Sequence, residues 1–290
     1  KQKLPFDILD SIRGIAALYV TIAHCRGVLW MGGSEFIKQF PRSNWDIWDY
    51  MMVGSSMLTR MAVEFVIVFF VLSGFSIAHS LSTDVSAPGF YKRRFIRIYP
   101  SYLIALAWAA IVYLITKASN PEWYDRTYTE FAFIRTMEMN NYLEPSQIAR
   151  NVFYMPGNGF ITPFWSLTYE VIFYILAPFL LRRTTIYLMV SAILFLSYQI
   201  IPGLWISLHL PEYLFRFLFE FNIYFAAGVA LYKYFDNVMK VYSSIPRRYA
   251  ALLIPVILAG MYVLNFTLGG EMMFNFLVSA IFSIALILYF

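Results

Sequence analysis

A polytopic, all-α membrane protein is the fold class this sequence predicts, and three observations predict it. Of its 290 residues, 60% are hydrophobic and 20% aromatic while only 13% are charged, a balance outside the range of soluble globular domains. The apolar residues gather into about eight runs, most of them near the ~20 residues a helix needs to cross a ~30 Å hydrocarbon layer. Lysines and arginines collect at the ends of alternate runs, the pattern that orients membrane helices. The net charge of +5 is therefore an orienting charge, and nucleic acid carries little weight as a partner. One cysteine, Cys25, excludes an intramolecular disulfide and a cysteine-rich metal site.

The first run extends from Ile8 to Met31 behind Lys1 and Lys3. Arg13 interrupts it and no small-residue cleavage site follows, so it is not a cleavable signal peptide. The second run, Met61 to Leu81, is followed by Lys92, Arg93, Arg94 and Arg97, which puts the N-terminus and this flank on the cytoplasmic side and the stretch Gly32 to Arg60 outside as a loop. A third run, Ile98 to Thr116, leads outward to a polar stretch from Lys117 to Thr162. The fourth, Pro163 to Leu181, returns to Arg182 and Arg183. Thr185 to Pro202, Tyr213 to Tyr232 and Tyr249 to Leu268 follow, the sixth run ending in Lys233, Lys240, Arg247 and Arg248, and an eighth run begins at Met272. Trp30, Trp45, Trp48, Trp123, Trp165 and Trp205 fall at or beyond the outer ends, as an interfacial belt requires. No internal repeat is visible, against the inverted-repeat logic of many transporters. The chain opens on Lys1 rather than Met and ends in an apolar run at Phe290; both are read as limits of a longer protein, whose single transmembrane domain occupies 1–290 and continues beyond.

Ionisable residues inside apolar helices are costly and mark candidate sites. Arg13 and His24 stand eleven residues apart, which on an α-helix is about 16 Å along the axis and nearly the same face. With the orientation above, Arg13 lies near the cytoplasmic surface and His24 in the outer half. Glu64 and Glu170 enter their runs from outside and reach a depth similar to that of His24. An imidazole with a carboxylate in reach suits general-base catalysis on a hydroxyl. Structural roles stay open for both ends of this argument. A histidine in an apolar helix is often a satisfied core residue, and Glu64 stands four residues from Arg60, close enough to pair with it. Cys25 points about 100° away from His24 and is read as packing.

A second feature is Tyr91-Lys92-Arg93-Arg94-Phe95-Ile96-Arg97-Ile98-Tyr99-Pro100. On a helix Arg93 and Arg97 share a face, and guanidinium forks suit phosphate better than ammonium groups do. An ordinary cytoplasmic anchor is the other reading.

Four stretches in order resemble the membrane-bound acyltransferase family 3, O-acyltransferases of surface carbohydrates. They are Ser11-Ile12-Arg13-Gly14-Ile15-Ala16-Ala17 through His24, Phe69-Phe70-Val71-Leu72-Ser73-Gly74-Phe75, Arg93-Arg94-Phe95-Ile96-Arg97-Ile98-Tyr99-Pro100, and Phe164-Trp165-Ser166-Leu167-Thr168-Tyr169-Glu170 with Phe173-Tyr174. The likeness covers the first two-thirds of the chain; later runs match only in hydropathy. It implies about ten spans, so that two helices would follow Phe290. It also implies transfer of an acyl group, most often acetyl, from cytoplasmic acyl-CoA to a hydroxyl of an extracytoplasmic carbohydrate (a polysaccharide, lipopolysaccharide or lipid-linked glycan) in a bacterial inner membrane, with no metal. His24 would then be the catalytic base, Arg13 its motif partner and Glu170 the acid of the fourth motif. Arg93, Arg94 and Arg97 would hold the donor's phosphates. Ser73 and Gly74 offer a passage for the pantetheine arm or, equally, tight helix packing, and Glu64 is a further helper. A transporter or flippase of a lipid-linked sugar, without acyl transfer, is the alternative. Neither the sugar nor the acyl chain is named by the sequence.

Overall fold

The computed structural model describes residues 6–29, 33–83, 86–121, 144–153, 164–268 and 273–290, and their regular structure is helical throughout. In chain order the helices are α1 (Phe6–Leu29), α2 (Gly33–Gln39), α3 (Ile47–Leu58), α4 (Ala62–Thr83), α5 (Ala87–Ser119), α6 (Pro145–Val152), α7 (Trp165–Leu180), α8 (Thr184–Ile200), α9 (Pro202–Ile206), α10 (Glu212–Arg216), α11 (Asn222–Lys233), α12 (Phe235–Tyr242), α13 (Arg247–Leu268) and α14 (Met273–Tyr289). Short 3-10 turns occupy Arg42–Asn44 and Leu181–Arg183, and a π-helical turn, Phe217–Phe221, joins α10 to α11.

Among the described residues six stretches are long and apolar enough to cross a membrane: Asp7–Gly27, Ile47–Thr83, Ala87–Ser119, Trp165–Ile200, Glu212–Lys233 and Arg247–Thr267. The chain is thus a polytopic membrane protein. The number differs from the sequence expectation of eight because α7 and α8, separated only by the 3-10 turn at Leu181–Arg183, run as one apolar stretch of 36 residues. The apolar α14 has 17 residues, about 26 Å of helix, against the ~30 Å of a hydrocarbon core.

Residues 33–58, expected as a loop, instead hold α2, a 3-10 turn and α3. Asp46 caps α3 by accepting from the backbone N–H of Trp48 and Asp49 at 2.8 and 3.0 Å, while the Asp49 carboxylate accepts from Asp46 N–H at 3.0 Å. This reciprocal box starts a helix whose exposed residues include Ile47, Trp48, Met51 and Leu58, a face suited to lying at a membrane surface. Ser56 on its buried side accepts from Gly33 N–H at 2.9 Å and ties α2 down.

The chain divides into two compact units. One comprises residues 1–79, 180–210 and 214–290, and the other residues 80–179 and 211–213. In the first unit α4 is mostly buried, in keeping with a largely apolar run. It crosses α11 at two glycines. A Cβ built on Gly74 would stand 2.0 Å from the Phe225 carbonyl oxygen, and one on Gly228 would stand 2.0 Å from the Val71 carbonyl oxygen. Phe70 stacks on Phe225 at 4.6 Å and meets Phe221 edge-on at 5.6 Å beside this crossing. Small residues let two backbones approach where lipid offers no hydrophobic drive for association. Gly228→Val is expected to lower the Tm of the purified protein through an overpacking cost at or above the upper end of the usual range, about 3 kcal/mol. Gly260→Ala, whose added carbon meets nothing within 4 Å, should leave Tm unchanged; equal Tm values for the two variants would contradict the crossing. In the same unit α11 packs on α8 and α14, and α13 on α14.

The second unit is built on α5, 33 residues long. At 1.5 Å per residue that is about 50 Å, some 20 Å more than a hydrocarbon core accommodates. The basic stretch expected just before a third span is therefore the first turns of the same helix. Ser86 caps it by accepting from Gly89 N–H at 3.4 Å, and Pro88 stands in its first turn, where a missing N–H costs nothing. Tyr91 donates to the Ile175 carbonyl of α7 at 2.9 Å, and the hydroxyls of Tyr99 and Tyr102 donate to the terminal carbonyls of α6 at Val152 and Asn151.

Candidate functional site

In the first unit α1 buries Leu9, Ile12, Ala16, Val20 and Ala23, a stripe at the i, i+3, i+4 spacing of one helix face. At about 100° per residue, Arg13 and His24 fall on one edge of this stripe and Tyr19 and Arg26 on the other. Arg13 is mostly buried. It donates to Asp10 Oδ1 at 3.3 Å within its own helix and to Ser76 Oγ of α4 at 3.2 Å. Its guanidinium is thereby held one turn beyond Ser73. His24 is half-buried and makes no hydrogen bond among the described residues, which leaves both ring nitrogens available.

The opposite edge of α1 is tied to the turn between α3 and α4. Arg26 Nε donates to Thr59 Oγ1 at 3.1 Å, Tyr19 donates to the Leu58 carbonyl at 2.6 Å, and Met61 N–H donates to the Tyr19 hydroxyl at 3.2 Å. Tyr262 of α13 donates to the same Leu58 carbonyl at 2.7 Å. Glu64 belongs with this cluster. It is fully buried, and its Oε1 accepts from Asn265 Nδ2 of α13. Arg60 donates to the Asn265 backbone carbonyl at 3.2 Å, and among the described residues no ion pair joins it to Glu64. Neither the His24 pairing nor the Arg60 pairing weighed for Glu64 from sequence appears among these bonds; its partner is Asn265. That asparagine is a lone amide in an otherwise apolar run, which was its only signal in the sequence.

Ser73 is fully buried, and Gly74 lies in the α4–α11 crossing. The space that the missing side chain of Gly74 leaves is filled by the Phe225 backbone, so the packing reading holds at that position and no passage opens there. Cys25 is exposed rather than packed against protein.

The second unit carries the other candidate residues. Arg93 and Arg97, four residues apart on α5, are exposed, as are Phe95 and Ile96 on the intervening face. Arg94 turns the other way. Its guanidinium carbon lies 5.5 Å from the Phe90 ring centroid and 5.6 Å from that of Tyr174 on α7, within the range of cation–π attraction. The Tyr174 hydroxyl donates to Glu170 Oε1 one turn back along the same helix. The structure thus joins Arg94, Tyr174 and Glu170 through direct contacts. Trp123 and Trp30, placed in the outer belt from sequence, lie outside the described residues.

Two polar features of the first unit were not singled out in the sequence. Arg216 and Glu220 form a salt bridge at 2.9 Å across the π-helical turn, visible beforehand only as opposite charges four apart in an apolar run. Buried Asn222 accepts from Tyr187 at 2.9 Å and donates to Ser191 at 2.8 Å, fastening α11 to α8.

Two curated proteins are similar to parts of the chain. "Protein 2 in picA locus" of Rhizobium radiobacter is 33% identical over 114 residues, 38% of this chain and 46% of that protein. "Acyltransferase MdmB" of Streptomyces mycarofaciens is 33% identical over 129 residues, 43% of this chain and 30% of that protein. The chain spans less than half the length of either relative in these matches. No solved structure matches it. A family profile described as an acyltransferase domain, acyltransferase 3, matches residues 6–290. With nearly its whole described length inside that profile, the chain belongs to the acyltransferase 3 family.

Proposed function

We propose that the chain transfers an acyl group, acetyl in the first instance, from cytoplasmic acyl-CoA to a hydroxyl of an extracytoplasmic carbohydrate, in a bacterial inner membrane with its N-terminus inside. Membership of the acyltransferase 3 family carries this reading, and the relative named as an acyltransferase supports it. In the proposed reaction Arg93 and Arg97, exposed residues of α5, bind the phosphates of the donor, and Arg13 adds a further cation toward the cytoplasmic end of α1. His24 takes the proton of the acceptor hydroxyl while that oxygen attacks the thioester carbonyl. The carbon–sulfur bond then breaks and the CoA thiolate leaves, to be protonated by the imidazolium or by solvent. Glu170, in this reading, is the acid of the fourth motif. Glu64 acts in this reading only through the α4–α13 contact, and the donor's arm takes a path other than past Gly74.

The test is incubation of the protein in lipid nanodiscs with acyl-labelled acetyl-CoA and a panel of polysaccharide, lipopolysaccharide and lipid-linked glycan acceptors. Label on a glycan is the expected result. Movement of a lipid-linked sugar across vesicle membranes with no label transferred would replace the proposal with a flippase.

A further inference from the structure

We infer that Tyr174 is a positioning residue with two separate duties, its hydroxyl orienting the Glu170 carboxylate and its ring holding the Arg94 guanidinium. The inference deepens the acyl-transfer reading and rests on it. Both contacts lie within the second unit and are made by one side chain that is itself 8% exposed. A buried tyrosine whose hydroxyl found only a backbone carbonyl would be an ordinary core residue. Here the hydroxyl donates instead to the carboxylate one turn away, and a hydrogen bond to a charged acceptor is stronger and more directional than a neutral one. The donor fixes one of the two carboxylate oxygens and, with it, the plane of the group and the direction in which the second oxygen points.

The ring performs the second duty. Arg94 shares the basic motif with Arg93 and Arg97 but differs from them in environment, because Phe90 and Tyr174 both lie within cation–π distance of its guanidinium. Phe90 is completely buried and Tyr91 is bonded to the Ile175 carbonyl, so the start of α5 is seated on α7 around this cation. Such seating sets where Arg93 and Arg97, on the exposed side of the same turns, present their charges. The sequence places three arginines in one motif, whereas the structure divides them: two on the exposed side of α5, and one held between the Phe90 and Tyr174 rings. Glu170 and the donor-side arginines are then positioned by one side chain. An error in the acid's orientation and an error in the phosphate site can therefore be produced separately by altering different atoms of Tyr174.

The division gives a kinetic split that a merely structural tyrosine would not produce. Full-length protein in nanodiscs is assayed with labelled acetyl-CoA, with Tm recorded for each variant. Tyr174→Phe keeps the ring and removes the hydroxyl; kcat should fall about tenfold, the scale of one charge-assisted hydrogen bond, with KM for acetyl-CoA unchanged within twofold. Tyr174→Leu removes both, and should lower kcat and also raise KM for acetyl-CoA by about fivefold or more. Arg94→Lys, which retains a cation over the rings, should restore KM toward wild type relative to Arg94→Ala. If Tyr174→Phe keeps its kcat while wild type transfers label, the inference is wrong and the parent reading stands. A parallel loss of kcat and Tm in both variants with KM unmoved would also overturn it, as a packing effect. Absence of transfer by the wild-type chain overturns the parent reading and this inference with it.

Discussion

His24→Ala is expected to abolish acyl transfer while expression, Tm and acyl-CoA binding remain near wild type. The loss of a general base costs on the order of 10²- to 10⁴-fold in rate, which for an assay of membrane-bound enzyme is loss of detectable activity. The fold should tolerate the change. His24 sits at the margin of the buried stripe of α1 and makes no hydrogen bond among the described residues, so its removal strands no buried partner. Arg13→Ala offers the contrast, because it takes a donor from Ser76 and from Asp10 and should cost both activity and stability. Rates for His24→Ala within a few-fold of wild type, measured with labelled acetyl-CoA, would remove the histidine from the mechanism.

Loss of donor binding is the second large effect. Replacing Arg93 and Arg97 together with alanine should weaken acetyl-CoA binding by about 100-fold, on the basis of at least ~1.4 kcal/mol for each charge-assisted contact to phosphate. Both side chains are exposed on one face of α5, so the double variant should fold normally and bind its acceptor as before. Raising the ionic strength should weaken the wild-type interaction and affect the double variant less, because the charges that salt screens are gone. Titration of CoA against each protein at two salt concentrations measures both effects. An unchanged affinity in the double variant would return this motif to the role of a cytoplasmic anchor.

Much of the architecture was legible because hydrophobic runs of span length leave the backbone little alternative to a helix. The runs beginning at Ile8, Met61, Pro163, Thr185 and Tyr249 correspond to α1, α4, α7, α8 and α13 within a few residues. What sequence could not supply were features set by partners remote along the chain. Glu64 was paired on paper with its neighbour Arg60 and by depth with His24, yet its hydrogen bond goes to Asn265, 201 residues away. Gly74 was compatible with either a passage or a close crossing until Gly228 and the Phe225 backbone appeared opposite it. The three arginines looked equivalent because their spacing says nothing about Phe90 and Tyr174 closing over one of them. The helix α3, twelve residues long, is too short to stand out as a span, although the Asp46–Asp49 box and the apolar residues after it were its signature. For the candidate site, His24, Arg13, Glu170 and the basic motif could be nominated from their chemistry alone, whereas the contacts that orient them could not.

Sidedness is the property that separates this account from every simpler one, and sealed inverted vesicles test it. Their outer surface is the cytoplasmic face, so labelled acetyl-CoA added outside supplies the donor side alone, with a glycan acceptor enclosed in the lumen. The account predicts that label appears on the enclosed glycan with wild-type protein and not with His24→Ala. Acylation confined to acceptor placed on the same side as acetyl-CoA would contradict it.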